Sequence, residues 1–197
     1  MPEESPITQR ILDAAEALLR RHGAEKANVV DVARALGMSH GNIYRHFSSK
    51  QALINAVAMR WLHAVIVPLE AIANDGARPA SERLGAWFDT LRAIKKRKVL
   101  DDPELFQLHH NIVEQVPEVV EEHVATMLHQ VERIIADGMA AGEFSSWLDP
   151  ALSARAFLQA TSPFHHPALL VRNPRATDED ARVLLELLLA GLRAERP

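Results

Sequence analysis

Apolar residues recur every three or four positions through most of this chain and rarely alternate with polar ones. That spacing lines one side of an α-helix, whereas a half-buried strand needs a period of two. β-Branched and aromatic residues seldom alternate, and the glycines and prolines fall between helical patterns rather than inside hairpins. The pattern predicts an all-α protein of about nine helices. With 197 residues, 48% of them hydrophobic, the chain can bury a sizeable core.

The helix ends can be read one by one. A first helix is expected over residues 7–22, with Ile7, Ile11, Leu12, Ala15, Leu18 and Leu19 on one stripe and Gly23 closing it in a left-handed cap. Asn28 is a good N-cap for a second, short helix to Leu36, Gly37-Met38-Ser39 makes a turn, and a third helix follows over 40–47. Ser48-Ser49-Lys50 then opens a longer helix, with Leu53, Ile54, Val57 and Trp61 inward. Asn74-Asp75-Gly76 and Pro79 read as a linker-like loop between a small N-terminal unit and a larger helical body, with the boundary inside or after the long fourth helix; the expected bounds are an N-terminal helix-turn-helix unit over 1–50 and a C-terminal helical body over 51–197. Pro79, Pro103, Pro117 and Pro150 sit where helices start, because a first turn has no acceptor for the missing N–H. After Pro117, Val120, Val124, Met127, Val131 and Ile134 form a core-lining stripe that stops at Gly142.

The last helix, over 178–193, is apolar on two faces. Val183, Leu184, Leu187, Leu188 and Gly191 occupy one, and Leu185, Leu189 and Leu192 another. Such a helix must be covered on both sides, which predicts a symmetric homodimer through the last two helices.

Charge narrows the function. The net charge of −4 argues against a chain that coats nucleic acid generally, yet residues 26–60 hold five bases (Lys26, Arg34, Arg45, Lys50, Arg60) against one acid, Asp31. No apolar run approaches the roughly 20 residues of a membrane span, and the acidic N-terminus is unlike an export signal, so a soluble, cytoplasmic protein without a membrane partner is expected. The absence of cysteine excludes disulfides, thiolate metal sites and a cysteine nucleophile. No phosphate loop, nucleophile elbow or zincin spacing occurs either, so no enzyme and no cofactor are expected.

Two short helices joined by a glycine-containing turn fit a B-DNA major groove about 12 Å wide. Val32, Ala33 and Leu36 can pack against Ile43 and Phe47, leaving His40, Gly41, Asn42, Tyr44, Arg45 and His46 facing outward. Asn42 and Arg45 are three residues apart, and their amide and guanidinium suit bidentate bonds to adenine and guanine edges. A helix pair of this kind that had lost DNA binding, serving only as an interaction module, is the alternative.

The letters Gly37-Met38-Ser39-His40-Gly41-Asn42-Ile43-Tyr44-Arg45-His46-Phe47, with Val32-Ala33 before them and Lys50 and Leu53 after, resemble the N-terminal domain of the TetR family of transcriptional regulators, over roughly residues 7–57. The resemblance implies that Ser39, His40, Gly41, Asn42 and Arg45 lie at the DNA, and that Tyr44, His46 and Lys50 bond phosphates. Asn28 stands where the family commonly has Thr, and could clamp a phosphate while capping its helix. The resemblance further implies a repressor released from double-stranded operator DNA by a small-molecule effector, with the fourth helix as the lever between ligand and DNA.

Trp61, Trp87, Phe88, Phe106, His109, Met127, Phe157, Phe164 and His165 are candidates to line the effector pocket. His165-His166, with His109, His110 and His123, also raise a metal-responsive alternative, although no spacing fixes a ligand set. Lys95-Lys96-Arg97-Lys98 reads as a solvated helix end rather than a second DNA contact.

Overall fold

Residues 5–26, 28–101, 110–111, 113–172 and 177–195 are described by a computed structural model of the chain. Among them are nine α-helices, a 3₁₀ turn and no strand. The helices are α1 (Pro6–Lys26), α2 (Val29–Leu36), α3 (His40–Tyr44), α4 (Lys50–Ala73), α5 (Ala80–Asp101), α6 (Pro117–Ala140), α7 (Pro150–Thr161), α8 (Pro167–Arg172) and α9 (Asp178–Arg193), with the 3₁₀ turn at Ser162–Phe164. The chain forms two compact units, Met1–His63 with Glu104–Val120, and Ala64–Pro103 with Glu121–Pro197. The division falls inside α4, because Leu53, Ile54, Val57, Ala58 and Trp61 all belong to the first unit's core.

That core is built on α1, whose Ile11, Leu12, Ala15 and Leu19 are buried against Val29, Val32 and Ala33 of α2. α2 starts as its sequence dictates, because the Asn28 side chain accepts the Asp31 N–H at 3.0 Å, a cap worth about 1 kcal/mol. It also ends as expected. Gly37 adopts φ 65°, which lets the Met38 N–H reach back to the Ala33 carbonyl at 2.9 Å.

Two expected ends move. α1 runs through Gly23 to Lys26, since the chain has no turn to make until the Asn28 cap and a glycine inside a helix costs only about 1 kcal/mol. α3 stops at Tyr44 rather than at residue 47. The Arg45 and His46 N–H groups bond the Asn42 and Ile43 carbonyls three residues back, tightening the chain so that Phe47 turns inward.

α4 corrects the reading of apolar runs. It is 24 residues long with a mean hydropathy of 1.6 in its most apolar stretch, enough by length and composition to cross a membrane. Polar residues such as Arg60, His63 and Glu70 break the run without lowering the average much. Its apolar residues serve as core for both units, Leu53 to Trp61 in the first and Val65, Leu69 and Ala73 in the second. Pro68 sits inside the helix and removes the N–H that would bond the Ala64 carbonyl.

In the second unit Leu84, Trp87, Phe88 and Leu91 of α5 meet Met127, Val131, Ile134 and Ile135 of α6 and Phe157 and Leu158 of α7. Pro79 directly precedes α5, and Pro117 and Pro150 open α6 and α7, whereas Pro103 lies outside the described residues. α6 departs from its predicted stripe. Met127, Val131 and Ile134 are buried as expected, but Val124 is 40% exposed, and the polar His123 and Gln130 are buried alongside them. α9 is capped by a reciprocal pair, Thr177 accepting from the Asp180 N–H and Asp180 from the Thr177 N–H. It buries Ala181 and Leu192, and Leu184, Leu185, Leu188 and Leu189 pack partly against the core. Val183 and Leu187 stay 41% and 65% exposed, and Gly191 is exposed beside them.

Candidate nucleic-acid interface

A single side chain, Ile43, fastens α3 to the core; it is fully buried, and no other residue of the helix is. His40, Gly41 and Tyr44 are exposed and Asn42 is half-buried, with Arg45 and His46 exposed in the turn that follows. The His40 and Tyr44 rings meet edge to face at 6.5 Å, so the two outward aromatic groups form one surface. Ser39 precedes the helix in extended conformation and makes no capping bond with its hydroxyl. The structure therefore brings Ser39 through His46 together on an open rim rich in donors and acceptors.

Lys50 and Asn28 border one cleft of about 20 Å³, lined also by Ala15, Leu19, Val29, Val32, Leu53 and Ile54, room for about one water molecule. Asn28 spends its side-chain oxygen on the α2 cap, which leaves its amide NH₂ for another acceptor. Lys50 is the first residue of α4, and the Ser49 hydroxyl caps that helix by accepting the Ala52 N–H at 3.0 Å.

The basic character of this segment is narrower than its count. Arg34 is paired with Asp31 at 2.9 Å, and Arg60 with Asp13 and Glu16 at 2.6 and 2.5 Å. Burial pulls the Arg60 guanidinium toward neutrality, but the bonds it donates to the Asp13 and Glu16 carboxylates outweigh that and raise its pKa. Arg60 thus ties α4 to α1, a role that its place among the bases did not suggest. Thr8 of α1 is another residue that sequence reading passes over. Its hydroxyl lies 3.4 Å from Nδ1 of His46.

The pocket candidates separate. Trp87, Phe88, Met127, Phe157 and Phe164 all lie in the second unit's core, where the Phe88 ring meets Phe157 and Phe164 edge to face at 6.2 and 6.1 Å. Trp61 does not join them. It faces the first unit's core because α4 turns that residue toward the α1 side of the helix. Phe106 and His109 lie outside the described residues. His165 is buried, with Nε2 3.2 Å from the Thr161 hydroxyl, whereas its neighbour His166 is exposed. Burial, and then the nearby Lys95 charge, lower the His165 pKa to about 4, so its ring is neutral near pH 7. Among the described residues no three His, Asp or Glu side chains converge as a metal site.

A polar chain leads from the same core out to a half-exposed carboxylate. Trp87 donates to Gln130 at 2.9 Å, and Gln130 donates to Glu70 of α4 at 2.8 Å. Arg133 and Asn74 hold Glu70 as well, both at 2.9 Å. Burial alone would raise the Glu70 pKa; these donors reverse that and lower it. In the basic run at the end of α5, Lys96 bonds Asp178 of α9 at 2.9 Å, and Arg92 bonds the same oxygen at 2.7 Å.

Comparison with known proteins agrees with this arrangement. Residues 11–57 match the bacterial regulatory proteins of the tetR family, and residues 80–183 match the tetracyclin repressor-like C-terminal domain. The fatty acid metabolism regulator protein of Bacillus subtilis is 22% identical over 157 residues, 78% of either chain. The fatty acid degradation regulator FadR of Bacillus halodurans superposes with a TM-score of 0.68 over 98% of this chain and 100% of its own, at 19% identity. FadR of Bacillus subtilis, solved in complex with stearoyl-CoA, does so with a TM-score of 0.64 over 93% and 98%, at 20% identity. At such identities the superpositions establish the fold, while the domain matches cover both the helix-turn-helix and more than half of the chain. The chain belongs to the TetR family and is a transcriptional regulator with an N-terminal helix-turn-helix and a helical C-terminal domain.

Proposed function

We propose that the protein is a cytoplasmic repressor that binds operator DNA as a homodimer and leaves it when a small apolar molecule enters the second unit. The observation that carries this reading is α3, in which Ile43 alone is buried while Asn42 is half-buried and His40, Gly41 and Tyr44 are exposed. In this reading Asn42 and Arg45 contact base edges, with His40 and Gly41 beside them and Ser39 at the rim. Tyr44, His46, Lys50 and the Asn28 amide bond phosphates and so set the register of α3 in the groove. Two copies place two such helices about 34 Å apart, joined through Val183, Leu184, Leu187, Leu188 and Gly191 of α9.

The effector is read as apolar because Trp87, Phe88, Met127, Phe157 and Phe164 belong to one buried apolar cluster, the kind of lining that takes an apolar ligand. FadR of Bacillus subtilis, of the same fold, was solved with stearoyl-CoA, whose long acyl chain, though not its phosphate-bearing head, is compatible with an apolar effector here. α4 is the element shared by the two units, and any shift of it changes the spacing of the reading heads. By linkage, ligand and DNA then weaken each other's binding by the same factor.

A gel shift with the protein's own upstream region tests the reading. A retarded band that Asn42→Ala or Arg45→Ala weakens at particular base pairs is the expected result. Equal binding to that region and to random duplex would overturn it.

A further inference from the structure

We propose that Thr8 is a positioning residue for DNA binding, whose hydroxyl donates to Nδ1 of His46 and thereby keeps the ring proton on Nε2, the nitrogen that meets a phosphate oxygen. The inference rests on the reading of His46 as a phosphate contact.

Three side chains form a short relay. Ser5, just before α1, accepts the Thr8 N–H with its Oγ at 3.3 Å, and the same Oγ lies 2.9 Å from Thr8 Oγ1. Thr8 Oγ1 in turn lies 3.4 Å from Nδ1 of His46, which stands 38 residues further along in the turn after α3. The relay therefore joins the start of the first helix to the rim of the interface.

Each hydroxyl has one proton, so the relay runs in one of two directions. If Thr8 donates to Ser5, the imidazole must supply the proton at Nδ1, and its Nε2 presents a bare lone pair. A phosphate oxygen is also an acceptor, and the two would repel. If Ser5 donates to Thr8, the Thr8 proton goes to Nδ1, and the neutral ring carries its own proton on Nε2. Only this direction gives a neutral histidine a donor toward DNA. The bond also holds an otherwise exposed ring in one orientation, which reduces the ordering cost of binding.

Ring ¹⁵N spectroscopy of the full-length protein, with the imidazole neutral, reads the proton directly. Wild type is expected to carry it on Nε2 of His46, Thr8→Val to show a mixture, and Thr8→Ser to restore the wild-type form. Affinity is read in parallel on two duplexes of about 30 base pairs, long enough for two half-sites, one from the protein's own upstream region and one of random sequence. Thr8→Val should weaken both about three- to tenfold, the worth of one hydrogen bond, and add nothing in a His46→Ala background. A wild-type proton on Nδ1, or a Thr8→Val loss undiminished in that background, would overturn the proposal while leaving the His46 contact standing. If His46→Ala changes neither duplex affinity, the phosphate contact itself fails and the proposal with it.

Discussion

α3 and α9 are both surface helices with one face turned outward, and the two faces are made of opposite materials. α3 presents imidazole, amide and phenol groups around a single buried isoleucine. α9 presents Val183 and Leu187 beside a backbone strip at Gly191, with charges confined mainly to its ends and to Arg182 and Glu186. The first face gains little by leaving water unless its partner offers matching donors and acceptors. The second gains roughly 25 cal/mol for each square ångström it hides, whatever the partner's sequence. The difference suits a reversible, selective contact on the first unit and a lasting, self-complementary one on the second.

The contrast breaks most readily at α9. Leu187→Glu places a charge where a second copy should bury a leucine, and should weaken self-association about a hundredfold or more, with operator affinity falling alongside. Light scattering after size exclusion reads the mass, and an undisturbed dimer would mean that α9 faces something else. At α3 the corresponding blow is to the fastening rather than the face. Ile43→Ala should cost about 2–5 kcal/mol in urea unfolding, and a loss under about 1 kcal/mol would show that α3 is held by other contacts.

Acid sharpens the comparison at the level of the units. His165 has its pKa lowered by burial to about 4, against about 6.5 when unfolded. Between those values the unfolded chain binds more protons, so stability is complete above about pH 6.5 and falls as pH drops toward 4. Urea unfolding at pH 7 and 4.5 should differ by about 2–3 kcal/mol more in wild type than in His165→Gln, a gap that would vanish if the ring stayed exposed. The smallest effect belongs to Lys50→Ala. It should lower affinity for operator and random duplex alike and reduce the salt slope by about one, whereas a loss confined to the operator would reassign Lys50 to base reading.

Local signals were readable and distant ones were not. Asn28 and Gly37 bound α2 through contacts within five residues, so their chemistry is written beside them. The start of α5 depends instead on Glu143, 63 residues away, which accepts the Ala80 and Ser81 N–H groups at 2.8 and 3.1 Å. No pattern near Ala80 announces that cap. Val124 went astray for a related reason. Periodicity gives a residue's place on its own helix, but which neighbouring helix lies opposite is decided by tertiary packing. The Thr8–His46 contact and the Arg60 clamp to α1 join segments far apart in sequence and leave no spacing to detect. The outward order from Ser39 to His46 was legible because so short a helix, with one apolar residue to bury, has few ways to sit.

Because one isoleucine does the fastening, the letters around it carry almost none of the folding free energy. Exposed substitutions of this kind usually change stability by no more than about 0.5 kcal/mol. The address that α3 reads can therefore drift, or be rewritten by design, while the scaffold beneath it stays intact.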